Sequence, residues 1–263
     1  MTKNRMNERA AVEEQYRGSH NLKTRMTIHD KYSINKLGFG NWLFQQYELG
    51  EEARILELGC GTGDLWDGKL DLLGPGSSLV LSDFSAGMVE AVKNKFSAYP
   101  MVSFEQINIE EIPYKEETFD IVIANMMLYH VPDLPKGLEE IRRVLKKNGT
   151  FCCATFGENG IQKYLTGVLD QYGIHIDISG AFTLQNGADI LGKHFSGVCR
   201  RDYIDGLEVT DTWDLLDYIY SMVSIGNIEN VAREELFQCF EAQKDEKGMI
   251  HIPKEYGMFL CGK

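Results

Sequence analysis

Short apolar runs, each ended by a glycine or a polar residue, recur through the first three-fifths of the chain. Five of them have the length and composition of strands buried on both faces of a sheet, at positions 55–58, 79–81, 102–107, 121–124 and 151–156. Helical patterns lie between them, one capped by Ser85 and another that begins at Pro135 and is expected to end near Gly149. This alternation predicts an α/β fold, with a doubly wound, mainly parallel sheet and helices on both faces.

The segments on either side of this alternation show other patterns. Residues 1–50 are predicted to be helical, with an interruption at Gly38 and Gly40. Residues 158–195 are predicted to be mostly helical, and four further elements follow: a strand at 198–204, a helix capped by Thr210 or Asp211, a charged helix over 231–244, and a terminal hairpin that joins 249–252 to 258–261 across 253–257. We therefore divide the chain into an N-terminal helical segment (1–50), a core (51–157) and a C-terminal region (158–263).

The first apolar run ends in a glycine-rich turn that indicates a ligand site. The turn has the pattern Glu-x-Gly-x-Gly-x-Gly from Glu57 to Gly63, which does not fit the Gly-x-Gly-x-x-Gly fingerprint of dinucleotide sites. Glycines allow a ligand to approach the backbone closely, and Thr62 is predicted to cap a helix that runs through Trp66 toward position 73.

Charge indicates the kind of ligand. The turn contains no lysine or arginine for phosphates, and a second acid, Asp83, follows the next strand twenty residues after Gly63, where a ribose-binding carboxylate belongs. Carboxylates near a glycine turn favour a cationic ligand without phosphate, because opposite charges attract strongly in a partly dry cleft. S-adenosylmethionine is such a ligand.

Composition excludes several classes of function. The chain has 263 residues, with 39 acidic against 27 basic side chains and a net charge of −12, which disfavours nucleic acid and anionic membranes as partners. The N-terminus is too polar for a signal peptide and no apolar run is long enough to cross a bilayer, so we expect a cytoplasmic protein without membrane insertion. The six cysteines form no Cys-x-x-Cys pair and no His/Cys/Asp/Glu cluster has metal-site spacing, so we expect buried thiols and no metal.

Three motifs together resemble those of a known family. They are Leu-Glu-Leu-Gly-Cys-Gly-Thr-Gly from position 56, Ser-Asp-Phe-Ser-x-x-Met from position 82, and Ile-Pro-Tyr followed by Thr-Phe-Asp-Ile-Val between positions 112 and 122. This set is similar to the class I S-adenosylmethionine-dependent methyltransferases, in the subgroup of ubiquinone and menaquinone C-methyltransferases. The resemblance, over about residues 50–156, implies a Rossmann-like seven-stranded fold, an N-terminal lid, S-adenosylmethionine as cofactor and S-adenosylhomocysteine as product.

The resemblance and the strand ends together suggest site residues. Candidates for the cofactor are Tyr32, Glu57, Leu58, Gly59, Cys60, Gly61, Gly63, Asp83, Phe84, Met88, Asn108, Ile109, Glu110, Asn125 and Met126, and candidates for the substrate are His29 and Tyr129. Asn108 occupies the place where this subgroup usually has an aspartate to accept a hydrogen bond from the adenine amino group. His130 follows the fourth strand and is the candidate catalytic base.

A purely structural role remains an alternative for several of these residues. His130 could pack or cap locally, Met88 could be ordinary core, and the N-terminal aromatic residues could pack on the sheet edge rather than touch a ligand. The chain lacks the Asp/Asn-Pro-Pro-aromatic motif of DNA amino-methyltransferases, and its cysteines give no second sign of an arsenite methyltransferase. Two functions therefore compete: methyl transfer to a small soluble molecule by a monomer or homodimer, and non-catalytic binding of S-adenosylmethionine or S-adenosylhomocysteine.

Overall fold

A seven-stranded sheet with helices on both faces organises the chain. The structure, a computed structural model, describes residues 20–176, 180–222 and 225–263. The strands of the sheet lie in the order β3-β2-β1-β4-β5-β9-β7, in which the first five are parallel and β9 is antiparallel to both of its neighbours. The predicted doubly wound, mainly parallel seven-stranded fold is confirmed.

The elements follow one another as a regular alternation in the core and as a mixture afterwards. The strands are β1 (Arg54–Leu58), β2 (Ser78–Asp83), β3 (Val102–Gln106), β4 (Phe119–Asn125), β5 (Leu145–Phe156), β6 (His175–Ile176), β7 (Ser196–Val209), β8 (Ile225–Gly226) and β9 (Ile250–Gly262). The helices are α1 (His20–Tyr32), α2 (Phe39–Phe44), α3 (Ala86–Phe96), α4 (Leu134–Val144), α5 (Ile161–Leu169), α6 (Gly187–Leu191), α7 (Thr212–Tyr220) and α8 (Arg233–Glu241). Strands β6 and β8 form a separate two-stranded pair.

Local capping residues explain where several helices begin. Ser85 accepts a hydrogen bond from the Met88 N–H at the start of α3, and Asp211 does the same for Trp213 before α7. Asp133 caps α4, in whose first turn Pro135 loses no hydrogen bond. The predicted caps at Ser85 and Asp211 are confirmed.

Two predicted helices are wrong in their extent. Instead of one helix from Thr62 toward position 73, the chain forms two short 3-10 turns, Asp64–Trp66 and Leu70–Leu72, because Gly63 and Gly68 adopt left-handed φ values of 74° and 65°. The helix expected to reach Gly149 ends at Val144, and the residues that follow it extend β5 toward its partner β4.

The N-terminal interruption and the terminal hairpin are also corrected. Gly38 precedes α2 with a φ of 79°, but Gly40 lies within that helix. The expected hairpin is one continuous strand, β9, whose second half pairs with β5 and whose whole length pairs with β7. Pro253 is tolerated because the β5 pairing does not extend to it, and Gly257 lets β7 approach closely, since a Cβ there would lie 2.6 Å from the Arg201 carbonyl oxygen.

Three clusters of apolar side chains fill the fold. One lies between the sheet and α4, with Leu138 and Ile141 fully buried, and the second lies on the opposite face against α3, where Val92 is fully buried. The third joins α1 to the C-terminal helices through Ile28 and Leu216. The N-terminal segment is therefore packed onto the rest of the chain from residue 28 onward.

A buried ion pair fastens the connection between α1 and α2. The Lys254 ammonium lies 2.7 Å from the Asp205 carboxylate, and the two side chains are 1% and 0% exposed. Lys254 also donates to the Ser33 hydroxyl, and Asp205 accepts the Asn35 backbone N–H at 2.9 Å. Strands β7 and β9 thus hold the chain just before it enters α2.

We expect Lys254→Met to destabilise the protein by about 3–5 kcal/mol, because it leaves the Asp205 carboxylate buried without its cation. Chemical denaturation at pH 7 measures this change in the free energy of unfolding. Lys31→Met is the matched control: it removes an ion pair to Asp214 in which the two side chains are 50% and 27% exposed, and it should change the free energy of unfolding far less. Equal losses in the two variants would contradict the role given to the buried pair.

Candidate active site

A cavity of about 510 Å³ opens at the carboxyl ends of the central strands. The segments that follow β1, β2 and β3 line its floor and the segment after β4 lines one side, which is where an open α/β sheet places its ligand. The opposite wall comes from the N-terminal segment: Met26 and Asp30 of α1, residues 38–41 and Leu43. We call this side the N-terminal wall.

The glycine turn gives the floor its close backbone approach. Gly59, Gly61 and Gly63 have φ values of 69°, 55° and 74°, a region that residues with a Cβ rarely enter. A Cβ at Gly59 would lie 2.9 Å from the Met127 Cγ, and one at Gly63 would lie 2.6 Å from a methyl group of Val92. Gly59 therefore allows the turn to meet the segment after β4, whereas Gly63 allows it to pack on α3.

Asp83 connects the glycine turn to the end of β2. One carboxylate oxygen accepts the Gly61 N–H at 3.0 Å and the other accepts the Ser85 N–H at 2.8 Å. Burial raises the pKa of this carboxyl above its ordinary value, and the backbone N–H bonds oppose that rise. Asp83 lines the cavity, and three backbone N–H groups, of Gly61, Phe84 and Ser85, bond its carboxylate, which has about four acceptor positions and so retains one for a ligand donor.

Glu57 is the more deeply buried acid of the floor. It is 3% exposed, and one of its oxygens accepts the indole N–H of Trp66 at 2.7 Å. Burial raises the pKa of Glu57 to about 7; the Trp66 bond lowers it and the neighbouring Asp83 raises it further. This carboxyl changes its charge near neutral pH.

Acidic side chains outnumber basic ones around the cavity. Among the lining residues that the structure describes, four are carboxylates (Asp30, Glu57, Asp64, Asp83) and one is an ammonium, Lys69, which donates to the Leu65 carbonyl. Asp64 forms an ion pair with Lys95. A floor of this charge fits a cationic ligand and offers no guanidinium for phosphate.

The segment after β4 forms the remaining wall. Asn125 donates through its side-chain nitrogen to the Tyr47 hydroxyl at 2.7 Å, and Met126 follows with a φ of 53°, uncommon for a residue with a side chain. Met126, Met127 and His130 line the cavity, with His130 in a short 3-10 turn. A histidine and two thioethers therefore face the space between the floor and the N-terminal wall.

The comparisons with known proteins agree with this geometry. Residues 56–153 match a family model described as a methyltransferase domain. The chain is 34% identical over 127 residues to the ubiquinone/menaquinone biosynthesis C-methyltransferase UbiE of Pectobacterium carotovorum, and 27% identical over 128 residues to a demethylmenaquinone methyltransferase of Lysinibacillus sphaericus. Residues 56–153 are therefore similar to a methyltransferase domain, of the class I S-adenosylmethionine-dependent kind that the sequence motifs resemble. The cofactor is S-adenosylmethionine.

Coverage limits what these relatives show about the whole chain. The two sequence alignments cover 47% and 49% of this chain, and the chain spans about half the length of those relatives, 50% and 55%. Among solved structures, BH2331 of Bacillus halodurans C-125 aligns with a TM-score of 0.58 at 16% identity, covering 86% of this chain and 98% of BH2331. The (4+2)-cyclase SpnF aligns with a TM-score of 0.57 at 13% identity, covering 96% and 95%. These structures establish the fold and not the reaction.

Most of the residues suggested from the sequence of the methyltransferase domain line the cavity. They are Glu57, Leu58, Gly59, Cys60, Gly61, Asp83, Phe84, Asn108, Ile109, Asn125, Met126 and His130. Asn108 is placed differently from expectation in one respect: its side-chain oxygen accepts the Glu110 backbone N–H at 3.1 Å and so already closes the turn after β3.

Three other cofactor candidates lie outside the lining. The Gly63 backbone packs against α3, and Met88 is buried in that helix. The Glu110 carboxylate accepts the Asp133 N–H at 3.1 Å, which ties the turn after β3 to the start of α4. These residues support the walls of the cavity from behind.

Tyr32, His29 and Tyr129 also lie outside the lining. The Tyr32 hydroxyl donates to Asp214, on the side of α1 that faces α7. The His29 ring lies among Tyr218 and Tyr256, at centroid distances of 6.0 Å and 5.8 Å, and burial with repulsion from Lys254 lowers the pKa of His29 to about 3. The Tyr129 ring packs on Phe156 at 4.7 Å. These three side chains therefore contact other protein groups and do not line the cavity.

The sequence reasoning missed several lining residues. Met26, Asp30, Phe39 and Leu43 come from the N-terminal wall. The aromatic-rich N-terminal sequence indicated that this segment is near the ligand, but helical periodicity did not tell which face is turned inward. The rotation of α1 about its axis decides which of its side chains reach the cavity. That rotation depends on the connection between α1 and α2, which Lys254 and Asp205 hold in place.

Neither a metal cluster nor a membrane-spanning helix occurs in the described part of the chain. Within residues 20–176, 180–222 and 225–263, no three histidine, cysteine, aspartate or glutamate side chains come together as they would around a metal ion. Over the same residues, no helix combines the length and the apolar character needed to cross a membrane.

We expect Glu57→Gln to be more stable than the wild type at pH 8 by up to about 3 kcal/mol in the absence of cofactor. The folded-state pKa of about 7 exceeds the ordinary 4.5, so the folded protein holds a proton that the unfolded chain releases, and stability falls as the pH rises through this window. Thermal unfolding at pH 5 and pH 8 measures the difference, which should nearly vanish at pH 5. Glu90→Gln, on the exposed face of α3, is the control. A difference that does not depend on pH would contradict the burial of the charge.

Proposed function

We propose that the chain catalyses the transfer of a methyl group from S-adenosylmethionine to a small molecule. The observation that carries this proposal is the cavity itself, where two carboxylates and a glycine turn adjoin an apolar space under the N-terminal wall. The part of the cavity with the carboxylates and the glycine turn suits a cationic adenosyl ligand, and the apolar part leaves room for an acceptor.

Different residues of the floor are proposed to bind different parts of the cofactor. Asp83 is proposed to accept hydrogen bonds from the ribose hydroxyls, and Glu57 to attract the positive charge of the methionyl part. Phe84 and Ile109 are proposed to cover the adenine ring, because they supply apolar side chains at the ends of β2 and β3. Gly59 and Gly61 let the backbone of the turn lie against the ligand.

The remaining walls are proposed to orient the acceptor and exclude water. S-adenosylmethionine supplies a methyl group that its sulfonium already activates, so alignment of the acceptor is the main task of the protein. Met26, Phe39 and Leu43 of the N-terminal wall line the cavity together with Met126 and Met127. Thioether and aromatic side chains adapt to flat or irregular apolar ligands, which favours an acceptor with an apolar body.

We propose an acceptor with a quinol ring, which these walls and the names of the sequence relatives support. UbiE carries the description of a quinone-biosynthesis C-methyltransferase, and the cavity of the present chain offers the apolar lining that a quinol ring requires. His130 is proposed as the base that removes a proton when the acceptor carries one, since it lines the cavity next to Met127. His29 is a poor base at neutral pH because its pKa is about 3.

The proposal is tested by methyl transfer in vitro. The purified chain is incubated with methyl-labelled S-adenosylmethionine and a panel containing a quinol, a catechol, a phenol, an amine and a thiol, and products are identified by mass spectrometry. Labelled product from at least one acceptor, together with S-adenosylhomocysteine, is the expected result. Tight cofactor binding without any labelled product across the panel and a metabolite extract would instead favour a non-catalytic binding protein.

We expect Asp83→Ala to weaken S-adenosylmethionine binding by about tenfold to a hundredfold, because it removes the ribose acceptor and releases the Gly61 N–H. Isothermal titration calorimetry measures the affinity. Asp71→Ala, an exposed position in the turn Leu70–Leu72, is the matched control and should bind like the wild type. An unchanged affinity in Asp83→Ala would leave that side chain with a purely structural role.

We expect His130→Ala to lower kcat by about a hundredfold or more while the cofactor affinity stays within about twofold of the wild type. Steady-state kinetics with the acceptor found in the panel, combined with calorimetry, separates the two effects. His194→Ala, a position near Phe195 and not among the lining residues, is the control. Full turnover in His130→Ala would exclude this histidine as the base.

A further inference from the structure

The Trp66 side chain is buried directly behind the floor of the cavity. On β1, Leu56 and Leu58 pack toward α4, whereas Ile55 belongs to the cluster on the opposite face that also contains Trp66. The alternation of the strand directs Glu57 to the same face as Ile55, and the Trp66 N–H meets the Glu57 carboxylate there at 2.7 Å. Trp66 is itself fully buried.

The same indole contacts the N-terminal wall. The Phe44 ring, at the end of α2, meets Trp66 edge to face at a centroid distance of 5.8 Å and an interplanar angle of 89°. Residues 38–41 and Leu43 of the same segment line the cavity. Trp66 therefore lies between the wall that covers the ligand and the carboxylate that faces it.

The groups around Glu57 show why the hydrogen bond from Trp66 matters for the charge of Glu57. Asp83 of β2, the Cys60 thiol of the glycine turn and the Tyr47 phenol of the N-terminal segment are its titratable neighbours. Each of them is neutral or negative, and none of them stabilises a negative charge on Glu57. The Trp66 N–H does so, because a hydrogen bond to the ionised form favours that form.

We propose that Trp66 is a positioning residue of the cofactor site, which holds the Glu57 carboxylate in its ionised form and links it to the N-terminal wall. This inference rests on the proposed function, because it takes the cationic cofactor as the ligand of Glu57. The affinity for S-adenosylmethionine then depends on pH through Glu57, and Trp66 sets the pH at which that affinity is lost.

Trp66→Phe tests the proposal because it keeps an aromatic ring and removes the N–H. Calorimetric titration with S-adenosylmethionine between pH 5.5 and 8.5 is expected to show wild-type affinity falling as the pH decreases through about 7. In Trp66→Phe the same fall should occur about one pH unit higher, so that binding at pH 7 is several-fold weaker and approaches the wild type at pH 8.5. Trp213→Phe, stacked on Phe237 at the surface, is the matched control.

A double-mutant cycle separates positioning from packing. In a Glu57→Gln background the pH dependence should disappear and Trp66→Phe should have no further effect on affinity. A loss of affinity that is equal at every pH, or that persists in Glu57→Gln, would overturn the proposal. Wild-type binding that is independent of pH would overturn it while leaving the proposed function intact, whereas a wild type that binds no S-adenosylmethionine would overturn both.

A measurement on the wild type keeps the test independent of how Trp66→Phe folds. The indole N–H resonance of Trp66, observed by nitrogen-15 NMR, should shift with a midpoint near pH 7 as Glu57 ionises. The shift should be absent in Glu57→Gln, and the resonances of Trp42 and Trp213 should not follow it. An indole resonance that does not respond to Glu57 would overturn the proposal.

Discussion

The desolvation of acidic side chains is the physical constraint on which the site depends. Glu57 and Asp83 are placed at the ends of adjacent strands by the register of β1 with β2, and burial raises the pKa of both carboxyls. Two acids in a mainly apolar cleft disfavour each other's ionised form, and a bound cation offsets this electrostatic repulsion. Ligand affinity and the instability of the empty cleft therefore have a common origin in the protein.

The parts of the fold that could be predicted from the sequence are those where local pattern and tertiary packing agree. The core strands are buried on both faces, so their apolar runs were visible. The glycine turn was visible because glycines at alternate positions interrupt both helical and strand patterns. Trp66 was misplaced for the opposite reason. Its apolar neighbours suggested a helix, but the left-handed conformations of Gly63 and Gly68, before and after the turn Asp64–Trp66, prevent one, and the indole is fixed by a hydrogen bond to Glu57.

The N-terminal segment shows why side-chain roles were harder to predict than elements. Tyr32 and His29 were chosen for their chemistry, whereas Met26 and Asp30, four residues apart and so on one face of α1, line the cavity. The rotation of that helix is fixed by contacts with residues far along the chain, such as Asp214 and Lys254. No pattern local to α1 contains this information, because the apolar cluster that orients the helix is assembled from the far end of the chain.

The backbone at Met126 has a consequence for engineering of the protein. A φ of 53° costs a residue with a side chain about 1–3 kcal/mol, and glycine would adopt the same conformation without that cost. Met126→Gly would remove this strain from the folded state. It would also widen the cavity beside His130, because the Met126 thioether that lines it would be lost. Backbone stability and the shape of the cavity are thus opposed at one position, so a search for heat-tolerant variants should treat Met126 as part of the cavity lining.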